Sequence, residues 1–482
     1  MKDPGRPVLL DATAQAEKIR RGEVSPEDLL EQTIARIEKL NPALNAIVIP
    51  LFEKARREAR SAPQSLFRGV PYILKDLSLF SKGDPYVAGV AALKAAGYRS
   101  DHDSYFVERM RAAGFVLTGR ANSPELGIMG PTEPVTWGWT RNPWNTSYQT
   151  GGGGGAAAAV ASGMVPVAHG NDGGGSVRIT AGQCGVVGLM PSRGRVSPGP
   201  MIHNCDNVAG MLREGLIARS VRDVAAVLDI VSGHRPGDAY CAPEPSRPFA
   251  TELAREPRKL RIGVLDSDPA GQVQVDRNCA RAVQATADIL AKQGHAVSAG
   301  FPAVLRQGGW PEAFNPCIAV VVARELELFG KLIGRALTAQ DVEPVTWKYA
   351  EMGRHVTADL YAAGVDSLRA RAHEIERWWA DDGWDVLVTP TMPVRSLRVD
   401  ETPAKDESFL QLAVAITLFT VPYNVSGQPA ISLPLYWGDD GLPVGVQLVA
   451  ACGREDILLR LAAQLEQLMP WAERIPPLAQ GL

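Results

Sequence analysis

The chain lacks most of the features that announce a function. Its 482 residues contain six cysteines (Cys184, Cys205, Cys241, Cys279, Cys317 and Cys452), and no two form a CxxC pair. Scattered thiols argue against a disulfide framework or a zinc ribbon and fit a reducing, cytoplasmic compartment. Seven histidines include no HExxH, and His373 stands alone beside Glu374 and Glu376, so metal catalysis has little support. Lysine and arginine (50) nearly balance aspartate and glutamate (53), for a net charge of −3 without a basic stripe, which excludes a nucleic-acid surface. The opening "MKDPGRPVLLDATAQAEKIRRG" has no apolar h-region, so no secretory signal is expected. The least charged stretch, Thr150 to Gly170, is glycine and alanine interrupted by Pro166, a poor membrane span. No G-x-x-x-x-G-K-[ST] occurs, which removes a P-loop, and no G-x-S-x-G marks a nucleophile elbow.

What is present is the composition of a large globular core, with 45% hydrophobic and 21% charged residues. "EDLLEQTIARIEKLNP" reads as a helix capped by Ser25-Pro26, with Leu29, Ile34, Ile37 and Leu40 near helical spacing. "LNAIVIP" reads as a strand, and "FRGVPYILKDLSLF" places Lys75 near the end of another. "SYFVERMRAAG" and "FVLTGR" form a helix and strand joined at a glycine stop. Downstream, "LIARSVRDVAAVLDIVSG" and "CARAVQATADILAKQG" are helices and "KLRIGVLDSD" is a buried strand. "WDVLVTPT", "AISLPL" and "PVGVQLVA" are strands, and "EDILLRLAAQLEQL" is the last helix. Alternation of this kind predicts an α/β sheet layered by helices. "GHRPGDAYCAPEPSRPF", residues 233–249, reads as a crossing loop, because strands resume in the same style beyond it.

Two glycine clusters carry most of the chemistry. The first, "QTGGGGGAAAAVASG", puts Gly151 to Gly155 before an alanine run. Such a run costs conformational entropy, so something near it needs close backbone approach or positive φ. Gly151, Gly153 and Ala156 satisfy G-x-G-x-x-A, but the preceding "RNPWNTSYQT" is turn-rich where a dinucleotide fold needs a strand. The second cluster, "HGNDGGGSVR", ends in a serine preceded by three glycines. Backbone N–H groups converging there would suit the oxyanion of acyl transfer, although a glycine-rich turn with an incidental serine reads equally well. Lys75, with apolar neighbours on its N-terminal side, is a possible base because burial lowers a lysine pKa. His169 could act as a base or simply pack.

Together these stretches resemble the amidase signature family of serine hydrolases over nearly the whole chain. "GVPYILKD", the alanine-flanked glycine loop, "GNDGGGSVR", "GVVGLMPSRGRVS" and "YNVSGQPAISLPL" carry the resemblance. It implies one α/β domain, residues 1–482, with a large, twisted, mostly parallel mixed sheet between helices. Within it, residues 1–65 would be an N-terminal helical region, 66–232 the catalytic core, 233–258 the crossing loop and 259–482 the rest of the sheet and substrate-side helices. The resemblance makes Ser176 the nucleophile, Lys75 the ultimate base, and the N–H groups of Gly173, Gly174, Gly175 and Ser176 the oxyanion hole. The family's third catalytic member is a serine on a cis peptide bond, 24 residues before the nucleophile, and that position is Gly152 here. No cofactor or metal is implied. The partner is a small-molecule amide, with neither nucleic acid nor membrane; a homodimer is left open. "DATAQAE", "NPALNAIVIPLFEKARRE" and "SVRDVAAVLDIVSGHRPGD" resemble a subgroup acting on small or cyclic amides such as 6-aminohexanoate oligomers, which would put Cys317 near the substrate. "TWGWTRNPW" (Trp137, Trp139, Trp144) and "EAFNPCIAVVVARELE" are expected to line an apolar acyl pocket. Gly152 divides the readings. In one, the chain is an impaired or altered amide hydrolase with a water in the missing hydroxyl's place; in the other, it is a binding variant of the same fold.

Overall fold

The computed structural model describes residues 9–128, 130–200, 210–402 and 407–481, so Cys205 lies outside the described residues. Among the described residues eleven strands form one sheet: β1 (Ile47–Pro50), β2 (Pro71–Lys75), β3 (Val116–Ala121), β4 (Val167–Asp172), β5 (Val187–Met190), β6 (Arg213–Ala218), β7 (Arg261–Val264), β8 (Ala296–Ala299), β9 (Val386–Pro390), β10 (Ala430–Trp437) and β11 (Pro443–Ala450). Their spatial order is β1-β3-β2-β4-β6-β5-β10-β11-β9-β7-β8. Strands β2 to β6 and β9 are buried at every residue, so helices cover the central strands on both faces. The expected α/β architecture is present, but the sheet is not mostly parallel. Six strand pairings are antiparallel and four parallel. The parallel pairs sit in two groups, β3-β2-β4 and β9-β7-β8, and antiparallel strands join them. Antiparallel neighbours need no helical crossover, and β10 and β11 connect through a short turn at Gly438–Leu442.

Local signals explain most boundaries. The helix Pro26–Leu44 begins where the Ser25 hydroxyl accepts from the Asp28 N–H at 3.0 Å. The segment "LIARSVRDVAAVLDIVSG" divides differently from the sequence reading. Its first residues complete β6, and the helix begins only at Val221, after Ser220 caps the Asp223 N–H. Strand β4 was not expected, since "VAHGND" is rich in residues that strands disfavour. Pairing with β2 on one side and β6 on the other holds it extended. No helix among the described residues is long and apolar enough to cross a membrane.

Candidate active site

Strands β2 and β4 run parallel, with Tyr72 opposite Val167 and Ile73 opposite Ala168. That register brings Lys75, the last residue of β2, alongside the Gly170–Asn171 end of β4. Both carboxyl ends open on one side of the sheet, where α/β proteins place ligands. Strand β6 adds Glu214 opposite Asn171. Lys75 is buried, and its Nζ donates to Asn171 Oδ1 at 2.5 Å. Burial pushes its pKa down to about 8, against the opposing pull of Asp172 and Glu214.

Immediately after β4 the chain turns through Gly173, Gly174 and Gly175 into the helix Ser176–Cys184, which puts Ser176 at the helix N-terminus. Gly175 has a φ of 129°, and a Cβ there would lie 2.6 Å from both Ile179 Cδ1 and Thr420 Oγ1, so no other residue fits. The turn is pinned from behind. The fully buried Asp172 accepts from the Gly175 N–H at 2.7 Å and the Val177 N–H at 3.2 Å, and pairs with Arg178 through Nε (3.0 Å) and Nη2 (2.8 Å). Burial pushes its carboxyl up, but Arg178 and the donors from Asn424 and Gly175 prevail and hold it at about 2. Arg178 spends its remaining donors on Thr420 O, Gln447 Oε1 and Asn424 Oδ1. Replacing Arg178 with Met would leave a buried, unpaired carboxylate, and a loss of about 3–5 kcal/mol is expected. Urea unfolding at pH 7 measures it. Asp172 is depressed in the folded state, so its contribution to stability is full above the usual aspartate pKa and fades as pH falls toward 2. The variant's deficit should therefore shrink in acid.

Ser176, Lys75, Asn171, Gly152, Gly173 and Gly174 all line one cavity of about 350 Å³. The helix Trp310–Ile333 walls it with Phe314, Ile318, Val321 and Val322, and the segment Ala413–Tyr423 closes another side. Size and lining are those of a small-molecule site, largely apolar with a few converging polar groups.

Several expected residues lie elsewhere. The Gly175 N–H is already donated to Asp172, so it is not free for an oxyanion, whereas Gly173, Gly174 and Ser176 are half-buried and face the cavity. Cys317 does not line the cavity. It is fully buried on the flank of its helix, in a cluster with Val365 and Leu368, to one side of the cavity-facing positions 314, 318, 321, 322 and 325. Trp139 is also absent from the lining. Trp144 donates to Cys184 O and stacks edge-on with Trp437, while Trp137 lies under Lys94. The bonds flanking Gly152 are trans; among the described residues the cis bond is Gly199–Pro200. A cis non-proline bond costs about 3 kcal/mol, and glycine has no hydroxyl whose contacts could offset it. Thr150 is buried without lining the cavity. His169 is buried, with Nε2 2.6 Å from Glu214 and its ring against Phe106. His373 is exposed.

The sequence reading also missed functional neighbours. Asn171, Asp172 and Arg178 stood inside the quoted "GNDGGGSVR", and Asn424 inside "YNVSGQPAISLPL", but nothing in one dimension shows that Asn171 meets Lys75 or that Asp172, Arg178 and Asn424 meet one another. Among the described residues no cluster of three or more His, Cys, Asp or Glu is placed to hold a metal.

A glycine-framed serine at a helix start and a buried amine both open on a largely apolar cavity at the carboxyl ends of the interior strands β2 and β4, an arrangement suited to acyl chemistry on an α/β sheet. The model of the Amidase family matches residues 28–459. The chain belongs to that family, the amidase signature enzymes, and is an amide hydrolase acting on carbon–nitrogen bonds. It is 51% identical over 477 residues to the 6-aminohexanoate-cyclic-dimer hydrolase of Paenarthrobacter ureafaciens, covering 97% of this chain and 96% of that one. The enzyme of that name from Pseudomonas sp. (strain NK87) matches to the same extent. The solved structure of 6-aminohexanoate cyclic dimer hydrolase complexed with substrate superposes with a TM-score of 0.96 at 51% identity, over 98% of this chain and 99% of that one. A bacterial aryl acylamidase of the amidase signature family follows at 27% identity and a TM-score of 0.87, over 98% and 99% of the two chains.

Proposed function

We propose that the protein hydrolyses a small or cyclic amide, such as a 6-aminohexanoate oligomer, through Ser176 as nucleophile and Lys75 as base. The observation that carries this reading is that Ser176, Lys75 and the half-buried Gly173 and Gly174 share one apolar cavity. Ser176 Oγ attacks the carbonyl carbon, its proton passes to neutral Lys75, and the N–H groups of Gly173, Gly174 and Ser176 receive the oxyanion. The protonated lysine then returns a proton to the departing amine nitrogen. Water then attacks the ester carbonyl, its proton passing to Lys75 and on to the departing Ser176 Oγ, which frees the acid and restores the serine. Gly152 supplies no bridging hydroxyl, so a water in the cavity carries the proton between Ser176 and Lys75, at some loss of rate. The names of the 51%-identical relatives support the cyclic dimer as the first substrate to try. Free thiols at the five described cysteines support a reducing compartment.

Intact-mass analysis after mixing with 6-aminohexanoate cyclic dimer, and separately with a chromogenic anilide, tests the reading. An acyl adduct and product release are expected, whereas a binding variant gives neither. Because the base must be neutral, kcat/KM should rise with pH through an apparent pKa near 8, the value to which burial lowers Lys75. A profile flat between about pH 7 and pH 9.5 would remove Lys75 from the role.

A further inference from the structure

We propose that Asn171 holds Lys75 in its working position through Oδ1 and offers its Nδ2 to the bound amide; this rests on the roles given above to Ser176 and Lys75. Asn171 is 1% exposed and lines the cavity. One end of its amide accepts from Lys75 at 2.5 Å, and the other, Nδ2, is buried without a hydrogen-bond partner. A buried donor left unpaired in a cavity wall is unfavourable unless a ligand meets it, and an amide substrate brings a carbonyl oxygen suited to it.

The surroundings make Asn171 the group able to orient the amine. Gly152 and Gly153 have no side chain to reach it, and a Cβ at Gly153 (φ 92°) would come within 2.9 Å of Nζ. The charged and titratable groups around Lys75 are committed elsewhere. On β4, Asp172 is spent on Arg178, and His169 bonds Glu214. On β6, Glu214 also accepts from Ser78. On β3, Arg120 reaches the Lys75 carbonyl and lies 3.7 Å from Asp76, the next residue along β2's exit. A neutral acceptor fixes the amine's rotation, and hence the direction of its lone pair, without adding the negative charge that would keep the lysine protonated.

Asn171→Asp and Asn171→Ala, in the full chain, test both halves. The first readout is independent of turnover: the Lys75 titration, followed by NMR of protein carrying ¹³C at lysine Cε. In Asn171→Asp the carboxylate should raise the Lys75 midpoint by about one unit or more, and the pH at half-maximal fluorophosphonate labelling of Ser176 should follow it. In Asn171→Ala, kcat for the cyclic dimer should fall about tenfold or more and KM rise several-fold, since positioning and the substrate hydrogen bond are lost together. Should Asn171→Asp fail to fold, Asn171→Ser provides the kcat and KM comparison. An unmoved Lys75 midpoint in Asn171→Asp, or kcat and KM within twofold of the parent in Asn171→Ala or Asn171→Ser, overturns the proposal. Should Ser176 of the parent resist the probe while the Lys75 midpoint moves as stated, the hydrolytic reading falls and the hold on Lys75 stands.

Discussion

Ser176→Ala should reduce kcat/KM for an amide substrate by about 10³-fold or more and abolish labelling by fluorophosphonates, with an unchanged melting temperature. The size of the loss follows from removing the atom that forms the covalent bond; in serine hydrolases the nucleophile and its base act as a unit, and what survives is the contribution of the oxyanion donors and binding. Stability should be untouched because the turn carrying Ser176 is held by other groups. Asp172 bonds the N–H groups of Gly175 and Val177, and Arg178 ties that carboxylate to the Thr420–Asn424 segment. Half-buried Ser176 faces the cavity, so the lost hydroxyl leaves no void in the core. Persistent labelling of the alanine variant, mapped by peptide mass, would identify a different nucleophile and end the proposed mechanism.

Gly152→Ser should move activity the other way. A hydroxyl at this position can bridge Ser176 and Lys75 with two hydrogen bonds of about 2.8 Å, replacing a mobile water by a fixed relay. Positioned proton transfer is worth about 10² to 10⁴ in rate, and a gain in that range is expected. It should appear in kcat with KM little changed, because the bridge acts on the transition state. Gly152 sits at the cavity wall with Lys75 and Ser176, so the new side chain has somewhere to point. The peptide bonds flanking Gly152 are trans, and the family pattern implies a cis bond here, so the serine must also re-form that geometry. Parallel assays on the cyclic dimer and an anilide decide the matter. Absence of any gain on both, with the circular dichroism of the parent, would show that the five-glycine loop no longer supports the family relay.

The sequence by itself determined the elements and the chemistry's raw materials. Period and caps located the helix after Ser25, the strand ending at Lys75 and the β9 to β11 strands, because local patterning and capping are written residue by residue. The spacing from Ser176 back to Gly152 was likewise countable. Tertiary structure decided the rest. Strand β4 is extended because β2 and β6 pair with it, against the preferences of its own residues. Mixed strand direction depends on which strands become neighbours, and no local signal encodes that. Phe314 and Cys317, one turn apart, pack on the same core cluster, and only the packing of their helix decides that Phe314 also reaches the cavity while Cys317 is sealed behind Val365 and Leu368. The meeting of Lys75 with Asn171, 96 residues apart, and of Arg178 with Asn424, 246 apart, follows from sheet register and long-range packing. Burial, opposed by Asp172 and Glu214, sets the lysine's pKa, and the Arg178 network sets the rigidity of the serine turn; both exist only once the chain has folded.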